Sequence, residues 1–235
     1  MTVLRTPRPS RATRWIPATF LLVAAAVACN GSDANSPSIP AKMTRVSGDS
    51  QSVAAGTSLA APMVVKVLAQ NGSPMLGQTV TWSLETGTSG TLPSSTSLTD
   101  VNGQASISFN AGQVAGKAEV TATVGSLAGL KFTQTIVAGP ASGLVKFAGD
   151  NAAALVNAGV GLVVKVTDQY GNAVSNATVS WEVTSSGGTL SAATSTSNTA
   201  GLATITLTVG ATPGTYTVKA TSGSLPAANF TVTAI

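Results

Sequence analysis

Thr79-Val80-Thr81-Trp82-Ser83-Leu84-Glu85 and Thr178-Val179-Ser180-Trp181-Glu182-Val183 are two versions of one phrase, offset by 99 residues. In the first, Val80, Trp82 and Leu84 alternate with Thr79, Thr81, Ser83 and Glu85. In the second, Val179, Trp181 and Val183 alternate with Thr178, Ser180 and Glu182. A period of two places one set on a buried face and the other on a wet face, which is the pattern of a half-buried β-strand. Each Trp is therefore expected to fill a core.

The repeat extends outward from these strands. Val64-Val65-Lys66-Val67 recurs as Val163-Val164-Lys165-Val166, Gly90-Thr91-Leu92 as Gly188-Thr189-Leu190, and Phe132-Thr133 as Phe230-Thr231. Gly103-Gln104-Ala105-Ser106-Ile107 answers to Gly201-Leu202-Ala203-Thr204-Ile205. A repeat of this length is too long for a solenoid unit and matches a whole small domain. Alternation returns in Ala105-Ile107-Phe109, Val120-Ala122-Val124 and Tyr216-Val218-Ala220, and no stretch after Cys29 keeps a helical period. Gly, Asn, Asp and Pro punctuate the runs. Gly72 and Gly171 mark turns that need a positive φ. About seven short strands per copy, with a Trp on an early-middle strand, predict two tandem immunoglobulin-like β-sandwiches. Cys29 is the one cysteine, so no disulfide joins the sheets.

Asp100-Val101-Asn102-Gly103-Gln104-Ala105, followed by Gly116 ahead of Val120-Thr121-Ala122, resembles the bacterial Ig-like domain of the invasin/intimin group (Big-1). So does Asp168-Gln169-Tyr170-Gly171-Asn172-Ala173-Val174 with Gly214-Thr215-Tyr216-Thr217-Val218. The resemblance covers nearly all of residues 43–235. The first copy departs from it at Gln70-Asn71-Gly72-Ser73-Pro74, and the second has Asn198-Thr199-Ala200 where the first has Thr99-Asp100-Val101-Asn102. The expected organisation is a signal peptide over 1–28, a lipidated Cys29 and flexible stalk over 29–42, and domains over 43–138 and 143–235. Gly139-Pro140-Ala141-Ser142 between them is short and Pro-containing, which predicts a stiff, rod-like tandem.

Export is written at the amino terminus. Arg5, Arg8, Arg11 and Arg14 precede an apolar run from Ile16 to Ala28, interrupted only by Thr19. That run is shorter than the roughly 20 residues a bilayer span requires, so it reads as a signal. Ala26-Val27-Ala28-Cys29 resembles the lipobox of bacterial lipoproteins; an ordinary signal ending at Ala28 fits the same small residues. The unpaired thiol favours lipidation at Cys29. The resemblance implies a multiply acylated anchor, and two chains suffice for durable attachment. Asn30 in place of aspartate leans towards the outer membrane and cell surface.

Charge narrows the partners. Four of the twelve basic residues belong to the leader, which leaves eight against eight acidic residues after Cys29. A neutral chain has no phosphate-tracking stripe, which excludes nucleic acid as the expected partner. There is no histidine, so Ser-His-Asp, Cys-His and His-based zinc chemistry are absent. Gly48-Asp49-Ser50 has the look of an esterase nucleophile motif, but it lacks a base and aligns with Gly149-Asp150-Asn151, so a duplicated turn is the better reading. Asp100/Asn102 and Asp168/Asn172 offer oxygen ligands of the type calcium takes, yet Asp and Asn form turns by themselves. The expectation is no catalytic residue, no cofactor and no resident metal.

Two functions follow. The first is a non-enzymatic cell-envelope lipoprotein whose domains serve structure or adhesion, as the resemblance implies. The second is a carbohydrate-binding or enzyme-accessory module. Sugar platforms need exposed aromatics. Phe132, Phe230 and Tyr216 fall on core phases, which leaves Tyr170, with Asn71 as its counterpart, as the candidate ligand contact for a protein or glycan.

Overall fold

The computed structural model describes residues 1–2, 39–185 and 187–235. The leader, Cys29 and the stalk up to residue 38 lie outside the described residues. From Ile39 onward the described chain belongs to one compact unit.

The first domain contains ten strands. One sheet runs β1 (Pro40–Ser47), β3 (Met63–Ala69), β7 (Gln104–Ile107). The facing sheet runs β2 (Ser52–Ala54), β10 (Leu130–Val137), β9 (Gly116–Thr123), β4 (Thr79–Leu84), β6 (Thr96–Leu98). β5 (Gly90–Thr91) and β8 (Asn110–Ala111) form a separate ribbon. The second domain repeats the plan. Its sheets are β11 (Gly143–Ala148), β13 (Gly159–Thr167), β17 (Leu202–Thr208), β15 (Thr189–Leu190), and β12 (Ala152–Ala154), β19 (Ala228–Ala234), β18 (Gly214–Thr221), β14 (Thr178–Val183), β16 (Thr194–Thr196). Pairing is antiparallel except β2 with β10 and β12 with β19. The chain is thus all-β, with two immunoglobulin-like sandwiches in tandem. β1 begins at Pro40, which pairs with Ala69, so the last three residues assigned to the stalk belong to the first sheet.

The alternation read at the two Trp strands is realised. Val80 and Trp82 are buried beside exposed Thr79, Thr81 and Ser83, and Val179 and Trp181 repeat this. Trp82 packs on Phe132 and Trp181 on Phe230, each at a centroid distance of 5.9 Å. A buried indole N–H needs a partner. Trp82 Nε1 donates to Ser97 Oγ at 2.8 Å and Trp181 Nε1 to Ser195 Oγ at 2.9 Å.

One difference between the two cores is an exchange of bulk. Phe109 and Ala118 in the first domain stand where Leu207 and Tyr216 stand in the second. A Cβ on Gly90 would meet the Phe109 ring, and one on Gly188 would meet Leu207 and the Tyr216 ring. One aromatic ring therefore fills the same corner from a different part of the chain, conserving volume as a close-packed interior demands. Tyr216 keeps its hydroxyl satisfied by donating to Thr212 O at 2.8 Å, an arrangement of the tyrosine-corner kind.

The sheets also differ at one edge. β17 continues to Thr208, whereas its counterpart breaks after Ile107. In the second domain Gly161 pairs with Thr206. Its counterpart is Pro62, which has no N–H to donate to a ladder, so pairing ends and the chain re-forms as β8 against β5.

Candidate functional site

Gly48-Asp49-Ser50 carries the chain from β1 in one sheet to β2 in the other. Gly48 has φ +88° and Ser50 φ +59°; Gly149 and Asn151 repeat these at +90° and +56°. Asp49 Oδ1 accepts the Thr133 N–H at 2.8 Å and Asp150 Oδ1 the Thr231 N–H at 3.0 Å. The second carboxylate oxygens pair with Arg45 and Lys146. The motif is a sheet-to-sheet crossover sealed by a carboxylate, with both oxygens engaged. Next to it, in the first domain only, the fully buried Gln134 accepts the Gln51 N–H at 2.8 Å and donates to Gly48 O at 2.7 Å. The second domain has Val232 at that place.

The loop at Asp100 is likewise structural. Asp100 Oδ1 accepts the N–H groups of Asn102 and Gln104, both at 2.8 Å. In the second domain Asn198 Oδ1 accepts those of Ala200 and Leu202 at 2.9 and 3.0 Å. An uncharged amide performs the same task, so the turn requires an acceptor oxygen and not a charge. Asp100→Asn is expected to leave the stability of the first domain, measured by urea denaturation, within about 0.5 kcal/mol of wild type. No three Asp, Glu, Cys or His side chains cluster in metal-binding fashion among the described residues.

Asp168 is different. Its side chain is buried, and its oxygens accept four hydrogen bonds: from Tyr170 N and Asn172 N at Oδ1, and from Gly139 N and Asn172 Nδ2 at Oδ2, all within 2.8–2.9 Å. Asn172 in turn crosses to the first domain. Its Oδ1 accepts the Ala115 N–H at 2.9 Å, and its Nδ2 donates to Gln113 O at 2.7 Å. A planar amide thereby engages a backbone donor and acceptor two residues apart. Burial alone would push the Asp168 carboxyl up, but the hydrogen bonds from Asn172, Gly139 and Tyr170 outweigh it and hold the group below the ordinary aspartate range. Asp150 is also held low, first by Lys146. Groups depressed in the folded state contribute fully above their unfolded value, about 3.9, and the contribution is lost as pH falls through the lower folded value. The second domain is therefore expected to lose stability as pH drops below about 4, and Asp168→Asn with Asp150→Asn should flatten that fall in a pH series of denaturation curves.

Tyr170 lies at the same joint. Its hydroxyl sits over Gly56 of the first domain, where an added Cβ would come within 2.3 Å. It remains 37% exposed. The most exposed aromatic among the described residues is Phe147, at 60%. It escaped the sequence reading because β11 is a short edge strand with a bulge between Lys146 and Ala148. A signal existed, since Phe147 is out of phase with the buried Leu144. Val145 is exposed beside it, and the same positions in the first domain hold Thr44 and Val46. Cys29 lies outside the described residues, and no helix among those described is long and apolar enough to cross a membrane.

Comparison with known proteins agrees with this architecture. InvD of Yersinia pseudotuberculosis is similar in fold, with a TM-score of 0.57 and 19% identity over 82% of this chain and 57% of that one. The Escherichia coli adhesin FdeC aligns at TM-score 0.49 with 22% identity, over 81% and 63% of the two chains. The D0-D1 domain of intimin aligns at 0.34 with 22% identity, over 81% and 98%. Likeness at these identities concerns fold. No curated protein matches the sequence. Residues 43–137 and 145–235 each match the model of the bacterial Ig-like domain (group 1), and the chain belongs to that family.

Proposed function

We propose that this chain is a non-enzymatic cell-envelope lipoprotein, anchored through acylated Cys29, whose tandem domains form a structural and adhesion module at the bacterial surface. The observation that carries this reading is the pairing of an export leader ending in Ala26-Val27-Ala28-Cys29 with two domains of a family whose structural neighbours include named adhesins. The polar groups that sequence logic singles out are also engaged in framework hydrogen bonds, which supports a role in support and contact over catalysis. Asn30 supports placement in the outer membrane. Labelling cells with radioactive palmitate tests the anchor: incorporation into wild type and its loss in Cys29→Ala is the expected result, and persistence of label in the variant would sink it. Capture of a host-surface or envelope protein by the intact chain, with no turnover of that protein, tests the adhesion role.

A carbohydrate-binding role is the second reading, favoured by one observation. Phe147 beside Val145 presents an exposed aromatic where the first domain has the aliphatic Val46 beside Thr44, and aromatic faces are what sugar rings stack on. On a glycan array, binding that disappears with Phe147→Ala but survives Tyr170→Ala would select this reading. Absence of glycan binding by wild type would remove it.

A further inference from the structure

The loop that holds Asp168 and Asn172 has the same backbone in both domains. Asp168 N donates to Asn172 O at 2.9 Å, and Ala69 N donates to Ser73 O at 2.9 Å. Gly171 N donates to Asp168 O, and Gly72 N to Ala69 O. Only the side chains differ. Where the second domain carries the carboxylate and the amide that reach across the joint, the first carries Ala69 and Ser73. The first loop closes on itself instead, with Asn71 Oδ1 accepting the Ser73 N–H at 3.0 Å.

The receiving surface differs in the complementary way. Gly56 N donates to Gly112 O, and Asn157 N donates to Gly210 O, which makes Gly56 and Asn157 equivalent. From the same register Gln113 matches Ala211, and Ala115 matches Pro213. Pro213 has no N–H, so it cannot give the hydrogen bond that Ala115 gives to Asn172. Asn157 carries a Cβ where the Tyr170 ring leaves room for none at Gly56.

We infer that the junction between the two domains is a side-chain-specific lock, with Asp168 and Asn172 as the key and Gly56 and Gln113–Ala115 as the receiver, and that neither outer end of the pair can extend the tandem by the same lock. Asp168 acts as a positioning residue: it takes one hydrogen of the Asn172 amide and thereby aims the other at Gln113 O. The pair is a two-domain unit with one fixed internal joint. The receiver-equivalent loop of the second domain, Ala211-Thr212-Pro213, lacks the N–H that this key requires. This inference depends neither on the lipid anchor nor on any ligand.

Pulsed electron spin resonance on the full chain tests it. Cys29→Ser removes the native thiol, and labels are placed at Ser106→Cys and Thr204→Cys, both exposed strand positions. The wild-type joint should yield a narrow distance distribution. Asn172→Ala should widen it at least twofold, and Asn172→Asp should widen it further, because an oxygen then faces Gln113 O and the Asp168 carboxylate. Amide hydrogen exchange within β14 and β18 should be unchanged in both variants, which separates loss of the joint from loss of the fold. A distribution as broad in wild type as in Asn172→Ala, or one unchanged by both variants, would overturn the lock.

The outer-end claim has its own test. A second copy of residues 138–235 is appended after Ile235, with labels moved to the second and third domains. A broad distribution is expected that narrows at least twofold when Asn157→Gly and Pro213→Ala restore the receiver. An appended domain held as narrowly before those changes as after them would overturn the claim.

Discussion

Trp181→Ala is expected to lower the stability of the second domain by about 3–5 kcal/mol while leaving the first at its wild-type midpoint. The indole is 4% exposed, and its removal deletes the contact with Phe230 and leaves Ser195 Oγ without its donor. A domain of this size possesses roughly 5–15 kcal/mol in total, so the variant sits near the edge of folding at physiological temperature. The change should stay local because the two hydrophobic cores share no residue. Hydrogen exchange followed through a urea series distinguishes the domains: early loss of protection should be confined to strands β11 to β19. Trp82→Ala should produce the mirror result. Equal weakening of both domains by either change would show that the cores are coupled and would contradict this account.

The second large effect is expected at the crossover. Gly48→Ala places a Cβ about where Pro62 O and Met63 Cα already stand, at 2.3 and 2.5 Å. These are backbone atoms at the entry to β3, so no rotamer change relieves the collision. The residue must also keep φ near +88°. Left-handed backbone alone costs an L-residue about 1–2 kcal/mol, and displacement of β3 adds to it. The first domain should therefore lose more than about 2 kcal/mol. Gly149→Ala should do the same to the second domain, since its Cβ would lie 2.2 Å from Gly161 O. Gly72→Ala is the control: its φ is +81°, but nothing lies within 4 Å of the added atom. It should show the conformational cost alone, about 1–2 kcal/mol. If Gly48→Ala and Gly72→Ala cost the same, the crossover argument fails and only conformational strain remains.

The two Trp strands were legible because their information is local. Period-2 alternation is a property of five or six consecutive residues, and it specifies the buried face before any partner strand is known. Duplication supplied the rest, since a feature present twice in register reads as framework. That logic identified Gly48-Asp49 as a turn, and the hydrogen bonds to Thr133 and Thr231 are its physical content. It was less informative where the copies diverge. The departure at Gln70-Asn71-Gly72-Ser73-Pro74 looked like ordinary loop variation. In the folded chain it is the difference between a loop that closes on itself and one that reaches the neighbouring domain.

The sequence by itself determined the fold class, the tandem repeat, the strand faces, the Trp cores and the glycine turns, because each follows from chain periodicity, side-chain size or backbone freedom within a short window. Tertiary structure alone decided three other things. Asn172, held by Asp168, serves the joint because its partners Gln113 and Ala115 lie more than 50 residues earlier in the chain. Phe147 is exposed because an edge strand with a bulge has no neighbour to cover it. Phe109, between β7 and β8, and Tyr216, on β18, fill one corner from different parts of the chain because packing conserves volume and not sequence position. The outward phase of Phe147 against Leu144 is local, but that nothing covers it depends, like the other two, on what arrives from elsewhere in the chain.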